Sequence, residues 1–206
     1  MKITNVHNVP EPLVTLANKQ YYSKGASDYS VTELMSPPRV RRLQEKHDAD
    51  RAEDVSNMLW PLLGSALHVV MERGETEGWI SEERLFIDIE GVTLSGAIDL
   101  QQETPEGIVI VDYKFTSAWA VMNAKIEWEQ QLNIYKLLVE RVKGKKVVGL
   151  RICALIRDFS RHDHREGYPL APIHMVDIPL WDSQRTMDYI HAVSYTHLTL
   201  PTILRV

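Results

Sequence analysis

The sequence has little cysteine, no long apolar run and no excess of positive charge. Its one cysteine, Cys153, excludes an internal disulfide and any four-cysteine zinc or iron–sulfur site built from this chain alone. Its longest apolar stretches, such as Met58–Leu63 and Ile108–Val111, are far shorter than the roughly 20 residues that cross a bilayer. A net charge of −5 argues against a protein that coats nucleic acid by bulk electrostatics.

Signals for export and for an ATP-driven motor are also missing. The segment Met1–Pro10 has neither the apolar run nor the small-residue cleavage site of a signal peptide. We therefore expect a protein of the reducing cytoplasm that contacts no membrane. Since no P-loop is present, this chain contains no ATP-driven motor, and any unwinding needs a partner.

The rest of the composition is that of one globular domain. The chain has 206 residues, of which 44% are hydrophobic and 25% charged, enough to bury a core. Its densest basic patch follows Pro37–Pro38 and consists of Arg39, Arg41, Arg42 and Lys46. This patch is interpreted either as a solvated helix face or as a local contact for nucleic acid.

The apolar periodicity changes from helical to alternating along the chain. Helical spacing predicts helices at Leu13–Tyr22, Val40–Asp48, Asp50–Trp60 and Gly64–Arg73. Alternation and turn residues then predict strands at Arg84–Glu90, Val92–Gln101 and Gly107–Phe115, a helix at Ala124–Val142, strands at Lys146–Ile156 and near Ile173–Leu180, and a helix near Asp182–His191. We expect an α/β fold, with an N-terminal helical segment (1–60) and a core (61–192) whose central mixed sheet is flanked by helices.

The turn at Thr104–Gly107 places three charged residues together. Proline at its second position and glycine at its fourth favour a type I turn. If the turn's two ends face each other, the register puts Asp99 directly opposite Asp112, and alternation puts Lys114 on the same face. Two carboxylates about 5 Å apart repel each other unless a cation such as Mg²⁺ offsets them. These are the groups that metal-assisted phosphodiester hydrolysis requires.

Two other interpretations of this hairpin remain open. The two acids can flank an exposed face, with Lys114 as a cross-strand ion-pair partner. A one-residue bulge would also break the facing register. Against exposure, the run Ile108–Val111 is apolar on both faces, which is typical of a central, buried strand.

Several motifs together resemble a known nuclease family. Gly96–Asp99 (GAID) followed by Asp112–Lys114 (DYK) resembles the core motif of the PD-(D/E)XK nuclease superfamily, in particular its RecB-like, phage-type exonuclease branch. Gly64–His68 (GSALH) resembles the first motif of that branch. Gln131–Tyr135 matches its Q-x-x-x-Y signature, and Ser30–Arg39 resembles an N-terminal segment of phage-type members.

The resemblance implies a restriction-endonuclease-like core and a metal centre. It implies that Mg²⁺ or Mn²⁺ is bound by His68, Asp99, Asp112 and the backbone carbonyl of Tyr113. It further implies that Lys114 acts with the two aspartates in catalysis by assisting the attacking water. Relatives often carry a four-cysteine iron–sulfur cluster, which Cys153 alone cannot build. We therefore expect a member without the cluster.

The resemblance also implies contacts with DNA. Gln131 and Tyr135, one helical turn apart, would contact the DNA backbone near the metal. Ser117 would touch a phosphate or cap the following segment, and both roles are open. Because the chain is acidic overall, we expect DNA to meet a confined basic rim formed by Arg39, Arg41, Arg42 and Lys46.

Some side chains near the motifs have two interpretations each. Glu72, four residues after His68, is either the partner that orients the histidine or an exposed acid. Trp119 and Trp128 flank the site in sequence and are interpreted as packing residues or as base-stacking platforms. The last residues, Val193–Val206, resemble translated adapter sequence, and we hypothesise that the native sequence ends or diverges near His191–Val193.

The sequence as a whole predicts a metal-dependent deoxyribonuclease. We expect an exonuclease that acts on DNA ends, single- or double-stranded, in phage replication, recombination or repair. A structure- or site-specific endonuclease of the same fold and a non-catalytic DNA-binding module are the alternatives. A homo-oligomer and a recombination or replication partner are both compatible with the sequence.

Overall fold

A computed structural model describes residues 2–19, 25–74, 76–123 and 125–203 of the chain, without the side chains of residues 45 and 195–203. In this part of the chain, no helix has both the length and the apolar character needed to span a bilayer. The α-helices are α1 (Glu11–Asn18), α2 (Val31–Met35), α3 (Pro38–Lys46), α4 (Leu59–Glu72), α5 (Ala118–Met122), α6 (Ile126–Lys143) and α7 (Ser183–Ile203). The strands are β1 (Lys2–Thr4), β2 (Tyr29–Ser30), β3 (Ala52–Asp54), β4 (Trp79–Ile89), β5 (Val92–Thr104), β6 (Gly107–Thr116), β7 (Val147–Ile156) and β8 (Ile173–Ile178).

A mixed six-stranded sheet organises the domain. Its strand order is β2-β5-β6-β7-β8, and β4 pairs with β5. The β4–β5, β5–β6 and β7–β8 pairs are antiparallel, whereas β2–β5 and β6–β7 are parallel. The α/β fold and the order helix, three strands, helix and strand are confirmed. The apolar strand β6 is central, as its sequence predicted.

Helix α6 covers the sheet and carries much of the core. Nine of its residues are buried, among them Leu132, Ile134 and Leu138, and they pack with apolar residues of β6 such as Ile110. The helix ends at Gly144, which has a φ of 64°, because glycine adopts this left-handed cap without strain. One long helix therefore spans the strands that carry the charged motif.

The N-terminal segment contains strands as well as helices. The predicted helix at Asp50–Trp60 is wrong: β3 lies within it, followed by a 3₁₀ turn at Val55–Met58. The cause is non-local, because β3 pairs in parallel with β1. The Asp54 carboxylate also accepts hydrogen bonds from the backbone N–H groups of Ser56 and Val6, which fixes a turn rather than a helix.

The same segment contributes to the main sheet. Strand β2 pairs with β5, and Ser30 caps α2 in a reciprocal capping box with Glu33, as expected for a serine at this position. The helix predicted at Leu13–Tyr22 spans Glu11–Asn18, and residues 20–24 of that prediction lie outside the described residues. At the other end, α7 extends through residue 203, and residues 204–206 of the suspected tail lie outside them.

Candidate active site

The candidate site lies where β5 and β6 separate. The two strands pair from Thr104 and Gly107 at the turn to Leu100 and Val111, which confirms the predicted register. The next position holds the two acids. There the Asp99 carboxylate accepts a hydrogen bond from the backbone N–H of Tyr113 at 2.8 Å. This side-chain hydrogen bond stands in place of the backbone pairing between the two strands.

Both carboxylates are buried at this fork. Asp99 is 9% exposed and Asp112 is 1% exposed, so neither belongs to an exposed hairpin face. Lys114 lies on the same side of β6, and its Nζ is 2.5 Å from Asp112 Oδ2. This contact lacks hydrogen-bond geometry: among the described residues, Asp112 Oδ2 accepts no hydrogen bond. The Lys114 ammonium offsets charge on this buried oxygen, which still has no directed hydrogen bond from the described residues.

Helix α4 brings His68 to the acids. Its Nδ1 lies 3.2 Å from Glu82 Oε1 and 3.7 Å from Asp99 Oδ1. The imidazole ring also meets the Tyr113 ring edge-on, with 6.4 Å between centroids. Glu72, which the sequence offered as a partner for His68, lines the same cleft, but the carboxylate that is hydrogen-bonded to the histidine is that of Glu82.

Glu82 is a site residue that the sequence interpretation missed. It lies opposite Asp99 in the β4–β5 ladder, between the pairs that its two neighbours form. Its φ of 51° is left-handed, which is rare for a side chain larger than glycine and concentrates at functional sites. Asp99 on β5 therefore lies between Glu82 on β4 and Asp112 on β6.

The turn before β5 contains the sequence feature from which the position of Glu82 could have been predicted. Glu90 and Gly91 have φ values of 54° and 81°, which is the pattern of a two-residue type I′ hairpin turn. A two-residue connection that ends in glycine between two alternating strands fits such a turn, because glycine readily adopts a positive φ. Its register then sets Glu82 opposite Asp99, just as the following turn sets Asp112 opposite Asp99.

Burial and charge change the proton affinity of this cluster. Burial, followed by the charge of Asp112, raises the pKa of Asp99 to about 7. The hydrogen bond with Glu82, together with the nearby carboxylate charges, raises the pKa of His68. The metal-free cluster therefore retains protons near neutral pH, and a divalent cation would compete with them.

The donor set fits a divalent cation. One ligand atom from each of His68, Glu82 and Asp99 lies within 4.8 Å of the others, and Asp112 adds the buried oxygen that accepts no hydrogen bond. Carboxylate oxygens with a single imidazole are ligands that divalent metal ions use, and the choice of Mg²⁺ or Mn²⁺ remains a prediction. The contribution of the Tyr113 carbonyl remains a prediction.

Gln131 and Tyr135 line the same cleft from α6. Gln131 Nε2 donates a hydrogen bond to the Tyr135 hydroxyl at 2.9 Å, so the Q-x-x-x-Y residues form one unit. Tyr135 approaches β5 closely: a Cβ atom on Gly96 would lie 2.8 Å from its ring. The glycine of the GAID motif therefore makes room for this tyrosine.

The other predicted DNA contacts lie elsewhere. Ser117 caps α5, since its Oγ accepts a hydrogen bond from the Ala120 N–H at 3.3 Å, which is the capping alternative. Arg39 and Arg42 are exposed on α3, and the Arg41 guanidinium stacks over the Tyr29 ring at 4.9 Å. These arginines do not line the cleft, whose lining includes the cations Lys19, Arg84 and Lys114.

Comparison with known proteins identifies the family. A model of the PD-(D/E)XK nuclease superfamily matches residues 19–173. The chain belongs to the PD-(D/E)XK nuclease superfamily. This membership confirms the resemblance carried by the GAID and DYK motifs, and it identifies the chain as a nuclease of the hydrolase class.

One solved structure agrees with the fold. The crystal structure of SSO0001 is similar, with a TM-score of 0.56 and 17% identity, over 92% of this chain and 82% of that chain. A candidate exonuclease from Eubacterium rectale matches with a TM-score of 0.38 and 16% identity, over 68% of this chain and 51% of that chain. No curated protein matches the sequence.

Proposed function

We propose that this superfamily member is a metal-dependent deoxyribonuclease of the RecB-like, phage-type branch, and that it degrades DNA from its ends. The supporting observation is the convergence of His68, Asp99, Asp112 and Lys114 at the fork between β5 and β6. Burial of two acids and a lysine on one face costs desolvation free energy in the metal-free protein. A divalent cation beside a phosphodiester would interact with all three groups.

The proposed metal ligands are four side chains and one backbone carbonyl. They are His68, Glu82, Asp99, Asp112 and the backbone carbonyl of Tyr113. A bound Mg²⁺ or Mn²⁺ supplies Lewis acidity toward the phosphate and lowers the pKa of a bound water. Glu82 holds the His68 ring through Nδ1, and the Tyr113 N–H orients the Asp99 carboxylate, so the protein preorganises the donors.

The remaining cleft residues act on the substrate. Lys114 is a cation beside Asp112, placed to orient the attacking water and to stabilise charge that develops on the phosphate. The hydrogen-bonded pair Gln131 and Tyr135 positions a neighbouring DNA phosphate. Arg84, whose Nη1 donates to Ser95 Oγ at 3.3 Å, adds positive charge to the cleft wall. The resulting reaction is in-line displacement at phosphorus: the water oxygen forms a P–O bond, the P–O bond to one sugar oxygen breaks, and that oxygen leaves as a hydroxyl with a proton from the water.

The test compares DNA with and without ends. Linear DNA, labelled at one end, and closed circular DNA are incubated with the protein in Mg²⁺, in Mn²⁺ and in chelator. The proposal is supported if the linear DNA is degraded in Mg²⁺ or Mn²⁺ but not in chelator, while the closed circular DNA stays intact. The order in which labelled products appear then gives the polarity of digestion. Cleavage of the closed circle would establish an endonuclease instead. The biological setting that we propose is phage replication, recombination or repair.

A further inference from the structure

A second groove joins the active-site cleft at the proposed catalytic lysine. The two depressions share three lining residues: Thr32, Lys114 and Gln131. The cleft has a volume of about 860 Å³ and the groove about 820 Å³. A strand of nucleic acid whose scissile phosphate lies at Lys114 therefore has a path into the groove for its neighbouring nucleotides.

The most exposed aromatic surface of this groove is Trp119. Its side chain is 63% exposed, whereas Trp128 beside it is 5% exposed and belongs to the core. Among the described residues, the Trp119 ring takes part in no ring–ring or cation–π contact. By contrast, Trp60 and Trp181 each lie against a second aromatic ring and under an arginine. Burial of the free indole face would remove apolar area from water.

The support beneath Trp119 is packed and hydrogen-bonded. Its neighbours Ala118 and Ala120 are 3% and 1% exposed, and the Ser117 hydroxyl caps the helix. The Ala118 N–H also donates a hydrogen bond to Asp158 Oδ1 at 2.7 Å. The indole is thus presented from a packed segment that directly follows β6, so we expect stacking on it to cost little ordering of the backbone.

The chemistry of the groove suits bases better than paired phosphates. Its apolar lining includes Met35, Trp119 and Ile126, the last of which is 53% exposed. Its charged lining residues are Lys114, Lys125 and Glu127, so the positive charge is sparse. Duplex binding relies on many cations along both backbones. Single-stranded binding combines a few cations with aromatic faces on which bases stack.

We propose that Trp119 stacks on an unpaired base next to the scissile phosphate, and that the preferred substrate is single-stranded DNA or a frayed duplex end. The inference rests on the proposed nuclease function and adds a substrate class to it. Stacking requires a free base face, which an intact duplex does not offer beside the cut site. The continuity of the groove with the cleft at Lys114 assigns the groove to the substrate.

Binding is measured without turnover in an Asp112→Asn background, with fluorescence anisotropy of a labelled oligonucleotide. Stacking on one aromatic side chain is worth about 1–3 kcal/mol per base, so Trp119→Ala should weaken single-strand binding by about 5- to 150-fold. Trp119→Phe should restore most of the affinity. Binding of a blunt duplex with G·C ends should change by less than about twofold, because its ends fray little and offer few unpaired bases.

Trp60→Ala is the matched control, because Trp60 is 48% exposed but lines neither depression; its fold is checked by circular dichroism. Intrinsic fluorescence gives an independent readout: oligo(dT) should quench the parent protein more strongly than Trp119→Phe. The inference would be overturned if Trp119→Ala lost single-strand and duplex affinity equally, or lost neither. It would also be overturned if Trp119→Ala changed the oligomeric state and left DNA affinity unchanged. A parent protein that neither binds nor cleaves any DNA would overturn the nuclease proposal itself.

Discussion

Removing the Asp99 charge should stabilise the metal-free protein. Burial and the charge of Asp112 raise the pKa of Asp99 from 3.8 to about 7. At about 1.4 kcal/mol per pKa unit, this shift corresponds to about 4 kcal/mol. The folded state holds the proton that the unfolded state releases, so the free energy of unfolding should fall as pH rises from about 4 to about 7. In Asp99→Asn this loss is absent.

Urea unfolding with chelator at pH 5 and at pH 8 measures the effect. Asp99→Asn should be more stable than the parent at pH 8, by up to about 4 kcal/mol, and the difference should be smaller at pH 5. The raised pKa of His68 adds stability that is complete below pH 6.5 and lost above it, so some pH dependence remains in the variant. Asp177→Asn, on an exposed carboxylate, is the control and should leave the dependence unchanged.

Added Mg²⁺ should reverse the order of stabilities. A ligand that binds only the folded state stabilises it by mass action, and Asp99→Asn removes a proposed ligand. The reasoning is refuted if Asp99→Asn is less stable than the parent at pH 8 in chelator. It is equally refuted if the two proteins lose the same stability between pH 5 and pH 8.

Two further predictions concern the second acid and the motif glycine. Glu82→Gln should weaken Mn²⁺ binding by about 10- to 100-fold, measured by calorimetry; Glu106→Gln, in the exposed β5–β6 turn, is its control, and an unchanged affinity would remove Glu82 from the site. Gly96→Ala should cost about 1–3 kcal/mol in urea unfolding, because its Cβ would lie 2.8 Å from the Tyr135 ring. Gly64→Ala, on α4 with nothing within 4 Å, should instead stabilise the protein slightly, and equal effects of the two changes would contradict the packing argument.

The centre of the site was predictable because turn chemistry sets strand register. The proline–glycine turn fixed which residues of β5 and β6 face each other, and period-two alternation then placed Lys114 with the acids. The same logic applied to Glu90–Gly91 would have supplied Glu82. These inferences are local, since each spans one hairpin.

Non-local features of the fold were not predictable in this way. The β1–β3 pair joins residues about fifty positions apart in short segments, and no local pattern marks either strand. The contact of His68 with Glu82 depends on how α4 docks against the sheet, which periodicity does not determine. The exposure of Trp119 beside the burial of Trp128 likewise follows from the position of α5, not from residue type.

The most direct test of the account is cleavage of end-labelled linear DNA by Lys114→Ala beside Lys145→Ala. Lys145 pairs with Glu103 at the far end of the hairpin and lines no part of the cleft, so it controls for loss of a lysine. We expect Lys114→Ala to lose Mg²⁺-dependent cleavage while it keeps its fold and still binds Mn²⁺, and Lys145→Ala to cleave as the parent does. Retained cleavage by Lys114→Ala would contradict the assignment of the catalytic centre.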